Sequence, residues 1–182
     1  DIANHFVKNI DDGLKGQLAC DSKASAVKYK QYLDEIGLFE SAIVMSPPDS
    51  REGNTAVDES TTPAVTQWWK DNIGTQDEQT YTKHIIERFA NDDSLKLLIV
   101  VDKLLTGFDE PRNAVLYIDK PLKEHTLIQA IARVNRLHPL KKFGLLIDYR
   151  GILKELDTTI AKYQDLAART QGGYDLDDVR GL

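Results

Sequence analysis

The seven residues Leu95-Lys-Leu-Leu-Ile-Val-Val101 are nearly continuous Leu, Ile and Val, the pattern of a strand buried on both faces of a parallel sheet. A strand with one wet face would alternate instead. Such a strand needs cover on both sides, so helices must come from elsewhere in the chain. Gly16–Cys20 reads as a short strand, and Ser22 behind it stands in a good N-cap position. Ala26, Tyr29, Leu33 and Ile36 then fall at helical spacing, with Gly37 as a natural stop. Ser41–Met45 is a second short apolar run between turn signals, hence a strand. Helical spacing returns at Tyr81, Ile85, Ile86 and Phe89, closed by Asn91-Asp92-Asp93. Ala114–Asp119 is a further strand, a helix is predicted over about 124–137, and Phe143–Tyr149 is another buried strand. Ile152, Leu156, Ile160, Tyr163 and Ala167 mark a long amphipathic helix. This order predicts an α/β chain, an open parallel sheet flanked by helices. Ligands of such sheets sit at the carboxyl ends of the strands, which directs attention to the residues just after Cys20, Val101 and Asp119.

With 182 residues the chain has room for one ordinary domain. Apolar residues at 41% and charged residues at 29% give a globular balance. No run of about 18 apolar residues is present, so no membrane partner is expected. Cys20 is the only cysteine; it cannot close an internal disulfide, and a reducing, cytoplasmic setting fits best. The chain opens at Asp1 with nothing resembling a signal peptide, and reads as a piece of something longer. A net charge of −6 argues against coating nucleic acid by bulk electrostatics, while leaving room for a local basic groove. Residues 1–15 read as a leading linker, 16–151 as the domain, and 152–182 as a trailing helix and linker. Pro47 to Thr62 carries Pro, Asp, Ser, Gly and Asn with hardly an apolar residue, the signature of a flexible insertion.

Three groups of residues could carry chemistry. Gln129, Arg133 and Arg136 are spaced to form one stripe on a helix, with Leu127, Ile131 and Val134 on the opposite face and Ala130 and Ala132 flanking it. Two aligned guanidiniums suit phosphate oxygens and could stabilise a transferring phosphoryl group; a solvated face with surface ion pairs is the plainer reading of the same spacing. The second group, Asp102 to Asp109, directly follows the buried strand. Gly107 allows close backbone approach to a ligand, and Asp109 could accept from a ribose hydroxyl or hold a neighbouring arginine. An ordinary turn ended by Pro111 would look the same. Ser22-Lys23, at a helix start, offers free amides to a phosphate, as any strand-to-helix turn does. Trp68-Trp69 could stack a base, but beside Pro63, Val65 and Ile73 packing is the expected role.

Several motifs are missing. No glycine is followed by lysine, so there is no phosphate-binding G-x-x-x-x-G-K-[ST] loop. The Asp-Glu pairs at 34, 58, 77 and 109 do not end apolar strands as a magnesium-holding motif would. No glutamate stands two residues before a lysine, so no nuclease site of the D…E-x-K kind is assembled. The four histidines lack ligand-like spacing, and zinc is not expected. A phosphoryl-transfer centre would be half absent.

In this order the pieces resemble the second RecA-like domain of superfamily 2 helicases and translocases. Val101–Asp109 is similar to motif V, and Gln129-Ala-Ile-Ala-Arg133-Val-Asn-Arg136 to motif VI. The segments Leu105-Thr-Gly-Phe-Asp109, Tyr117-Ile-Asp-Lys-Pro-Leu-Lys-Glu-His125, Thr126–Arg136 and Phe143-Gly-Leu-Leu-Ile-Asp-Tyr-Arg-Gly151 closely resemble the R (motor and restriction) subunit of type I restriction–modification enzymes. Residues 17–33 fit motif IV loosely. The resemblance implies a P-loop NTPase-like helicase domain 2 without its own phosphate loop. It implies that Arg133 and Arg136 reach ATP bound mainly by the first RecA-like domain of the longer chain, with Mg2+, and that Gln129 helps position them. Gly107 and Asp109 would contact the sugar or link the ATP and DNA sides, and Ser22 and Lys23 would lie near the DNA backbone. Val101 stands where many superfamily 2 proteins carry a phosphate-contacting threonine, so that contact passes to Thr106 or to backbone amides.

The implied activity is ATP-driven translocation along double-stranded DNA by a site-specific endonuclease that also contains methylation and specificity subunits. By itself the fragment should neither hydrolyse ATP nor cut DNA. Another superfamily 2 motor, such as a type III restriction subunit or a repair helicase, would share motifs V and VI but not Asp119-Lys-Pro-Leu or Asp148-Tyr-Arg-Gly. A non-catalytic module docking an acidic partner through the arginine stripe is the remaining class.

Overall fold

The computed structural model describes residues 1–10, 12–48, 63–101, 103–104 and 109–154. The chain divides into two units, Asp1–Tyr149 and Arg150–Leu182. Residues 49–62 of the expected insertion and 155–182 of the expected trailing helix lie outside the described residues.

The first unit runs α1 (Ile2–Asn9), β1 (Lys15–Cys20), α2 (Lys23–Ile36), β2 (Glu40–Val44), α3 (Pro63–Asn72), α4 (Glu78–Asn91), β3 (Leu95–Val100), β4 (Asn113–Asp119), α5 (Glu124–Val134) and β5 (Leu145–Asp148). The five strands form one sheet in the order β2-β3-β1-β4-β5, and every pairing is parallel. The fold is therefore the expected α/β open parallel sheet flanked by helices, consistent with a RecA-like domain. β1, earliest in the chain, is central and buried along its whole length.

Strand alternation divides the core in two. Leu18, Cys20, Ile43, Leu97, Ile99, Val115 and Tyr117 share one cluster with Ile2 and Phe6 of α1, Ala26, Val27 and Leu33 of α2 and Val65 of α3. The intervening residues Ala19, Leu98, Val100, Leu116 and Ile118 are also buried, as are Ile85 and Phe89 of α4 and Leu127, Ala130 and Val134 of α5. Helices thus cover both faces, which is why β3 lacks alternation.

Local signals set the helix limits. Ser22 Oγ accepts from the amide of Ser25, and Gly37, at φ 66°, donates its N–H to Leu33 O in a left-handed C-cap. Asp77 caps α4 by accepting from the amide of Thr80. The stretch read as a leading linker carries α1: Phe6 is fully buried and packs against Phe39, the rings tilted by 56° at 5.0 Å between centroids. Burying such a ring contributes about 1.5–3 kcal/mol, enough to hold a short helix against the sheet. Trp68 and Trp69 of α3 pack half-buried against the same core, in keeping with the packing role. β3 and β4 are joined without a helix among the described residues. No described helix is long and apolar enough to cross a membrane.

Candidate functional site

α5 buries Leu127, Ala130 and Val134, each at most 1% exposed. Steps of three and four place these on one face, and the small Ala130 lets the helix lie close on β4. Sequence spacing had set Ile131 in the core and Ala130 beside the arginines; instead Ile131 is only half-buried and Ala130 is the core residue. Gln129 is exposed and Arg133, one turn on, is half-buried.

The helix stops at Val134, three residues before the expected end. Asn135, at φ −91° and ψ 14°, still donates its N–H to Ile131 O, but its side-chain oxygen accepts from the amide of Gly144. Lys141 Nζ donates to Val134 O at 2.8 Å and to Asn113 O at 2.7 Å. The last turn is closed by a side chain arriving from the following loop. Arg136 accordingly lies beyond the helix, and the single helical stripe is corrected to Gln129 and Arg133 alone.

Arg136 Nη1 donates to Asp109 Oδ2 at 2.5 Å, and the two side chains are 40% and 53% exposed. Of the two roles open to Asp109, holding a neighbouring arginine is the one observed. A pair this exposed contributes about 0–1 kcal/mol, so an anionic ligand could displace the carboxylate. Among the described residues Arg133 makes no hydrogen bond or ion pair. Leu137 is 95% exposed, and Ile128, Leu140 and Phe143 are also exposed, giving this end of α5 an apolar rim. Lys141 joins Val134 to the first residue of β4, so the helix end and Asp109 lie toward the amino edge of the sheet. That placement differs from the carboxyl-edge expectation for this group. Gly107 and Thr106 lie outside the described residues.

The carboxyl edge holds the other group. Ser22 Oγ is engaged as the α2 cap and also bonds Ser25 Oγ at 2.9 Å. Lys23 Nζ donates to Pro47 O at 2.7 Å. Sequence reasoning missed two contacts here: Tyr29 OH donates to Asp119 Oδ2 at 2.7 Å, and Lys120 Nζ donates to Val101 O at 2.6 Å. Burial, followed by the bond to Asp119, pushes the Tyr29 hydroxyl well above its usual pKa. Burial, with the carboxylates of Asp119 and Asp21 nearby, raises the Cys20 thiol strongly, leaving it an inert core residue. An aspartate closing an apolar strand was the available signal for Asp119; nothing local marked Tyr29.

Residues 13–151 match the family described as type I restriction enzyme subunit R domain 3. A type I restriction enzyme HindI endonuclease subunit of Haemophilus influenzae is 32% identical over 188 residues, covering 98% of this chain and 17% of its own length. A putative type I restriction enzyme MjaIXP endonuclease subunit of Methanocaldococcus jannaschii is 34% identical over 172 residues, covering 93% of this chain and 15% of its own. The putative MjaVIIP endonuclease subunit of the same organism is 55% identical over 83 residues, 46% of this chain and 8% of its own length. The chain spans less than a fifth of these curated relatives.

Proposed function

The chain belongs to the type I restriction enzyme R-subunit family, matching its domain 3, and on that footing we propose that it is the distal motor domain of an ATP-dependent double-stranded DNA translocase in such an enzyme. The observation that carries this reading is the state of the two arginines. Arg133 has no partner among the described residues and Arg136 is held only by an exposed carboxylate, so neither cation is consumed in building the fold. Guanidiniums presented in this way suit polyphosphate oxygens.

ATP would be held mainly by the first RecA-like domain, which would also hold the Mg2+ that neutralises the triphosphate. Arg133 and Arg136 reach the phosphates across the cleft, with Gln129 orienting the nucleotide beside Arg133. Asp109 releases Arg136 to the nucleotide and accepts from a ribose hydroxyl, and Gly107 is assigned to the same sugar contact. The exposed Ile128, Leu137 and Phe143 give the opposing lobe an apolar rim to close on. Ser22 and Lys23 serve the DNA backbone at the other edge, and Thr106 is assigned the same role. The methylation and specificity subunits complete the enzyme, and this segment alone is inactive.

The test is Arg133→Ala in the full-length subunit, assembled with its partners. ATP turnover should fall by about 10³-fold or more, the loss typical of a phosphate-stabilising arginine, with DNA affinity changed only a few-fold. Turnover at the wild-type rate would refute the motor assignment and favour a docking module instead.

A further inference from the structure

Gln17 sits in the middle of the central strand β1, 2% exposed, on the face away from Leu18. A primary amide in that position has to be bonded at both ends. Its Nε2 donates to the carbonyl of Leu104 at 3.1 Å, and its Oε1 accepts from Asn113 Nδ2 at 2.9 Å. Asn113 is itself buried, and among the described residues its own Oδ1 has no hydrogen-bond partner. The backbone carbonyl of the same asparagine accepts from Lys141 Nζ, which also donates to Val134 O at the end of α5. Leu104 carries φ 62°, a left-handed conformation that a leucine rarely adopts and that its surroundings must enforce.

These contacts are continuous. Leu104 belongs to the connection that leaves the carboxyl end of β3 at Val101, and Asp109 of the same connection lies near the amino end of β4. Gln17, Asn113 and Lys141 link Leu104 to the end of α5 from beneath, and Arg136 closes the circuit back to Asp109. A strained leucine and an orphaned amide oxygen both fall within one set of bonds, buried at Gln17–Asn113 and part-buried at Leu104 and Lys141.

We infer that Gln17, Asn113 and Lys141 are positioning residues that tie the backbone after β3 to the helix end presenting Arg133 and Arg136, so that a shift of that backbone on DNA changes how the arginines meet the nucleotide. This rests on the motor reading above. None of the three touches ligand; each acts through Leu104 or Val134.

The experiment uses the full-length subunit in its assembled enzyme and measures ATP hydrolysis against ATP concentration, with and without linear duplex DNA. Gln17→Met and Lys141→Met should each lower DNA-stimulated kcat at least tenfold, while KM for ATP and the DNA-free rate stay within twofold. Lys141→Arg, which keeps donors for both carbonyls, should restore most of the stimulation. Stimulation within twofold of wild type in both Met variants would overturn the inference, as would a rise in KM matching the loss in kcat. If Gln17→Met fails to fold, Lys141→Met, at a half-buried surface position, decides alone. Arg136→Ala in the same assay separates the two levels. If it keeps its turnover, the motor reading falls and the relay with it; if it loses turnover while both Met variants keep stimulation, the relay alone falls.

Discussion

Gly144 passes so close to the carbonyl of Val134 that a β-carbon on the glycine would stand well inside 3.0 Å of that oxygen. The atom in the way is backbone, and it belongs to the helix end fixed by Lys141. Gly144→Ala should therefore move the end of α5 rather than merely crowd it. Overpacking of this kind costs about 1–3 kcal/mol. A urea midpoint unchanged from wild type would show that the α5–β5 connection yields freely.

The exposed pair Arg136–Asp109 should separate stability from activity. Asp109→Asn removes the carboxylate that holds Arg136, and loss of so exposed a pair should change unfolding free energy by less than about 1 kcal/mol. On the motor reading Arg136→Ala is similarly mild for stability, yet lowers ATP turnover of the full-length enzyme by about 10³–10⁵-fold. Parallel thermal melts and ATPase assays check both halves; a melting temperature that collapses in either variant would mean the pair holds the fold.

Lys15 predicts an alkaline dependence of stability. The residue is 1% exposed, and its ammonium donates to Asp92 O at 2.7 Å and Leu95 O at 2.8 Å and lies over the Phe89 ring. Burial first, then the nearby Arg112 guanidinium, lowers its pKa from 10.5 to about 8. Between those values the unfolded chain binds a proton that the folded chain does not, so stability from this group rises with pH across that window and is lost as pH falls through 8. The raised Cys20 thiol acts in the opposite sense above its ordinary value of 9.0. The melting temperature of wild type relative to Lys15→Met should therefore climb from pH 8 to 10; a flat difference would show that the buried amine stays charged.

Ser22 has a structural and a proposed ligand role that one substitution can divide. Ser22→Ala removes the α2 cap and should cost about 1 kcal/mol. Ser22→Asp keeps a capping oxygen and favours the helix dipole, so its stability should match wild type. On the motor reading its charge repels the DNA backbone, and DNA affinity of the full-length enzyme should fall severalfold. Equal DNA affinity of Ser22→Asp and wild type would remove Ser22 from the nucleic-acid edge.

Most of the sheet could be read from local pattern, because strands buried on both faces and helices capped by Ser22 and Gly37 write their limits in adjacent residues. The end of α5 could not. Helical spacing continues through Arg136 and Leu137, and what stops the helix is Lys141, which reaches back seven residues to Val134. Gln17 was invisible for the same reason. Its partners Leu104 and Asn113 are 87 and 96 residues away, and a lone glutamine in a short strand carries no periodic signal. α1 has apolar residues at Ile2 and Phe6, with Ile10 at its C-cap, but eight residues make a helix only when a core receives them. In the candidate site the pairing of Arg136 with Asp109 was one of two stated options; the edge at which they meet depends on the path between β3 and β4.

The central place of β1 has a consequence for how the chain acquires its shape during synthesis. Gly16 aligns with Leu97 on one side and Val115 on the other, so the first strand to leave the ribosome has no neighbour until β3 at Leu95–Val100 follows, and lacks its second until β4 at Asn113–Asp119. Its apolar residues must wait unpaired, sheltered first by α1 and α2 and then by α3 and α4, which makes assembly late, non-local and slow for a domain of this size. A chain halted before residue 113 would expose that strand along an edge that nothing yet protects.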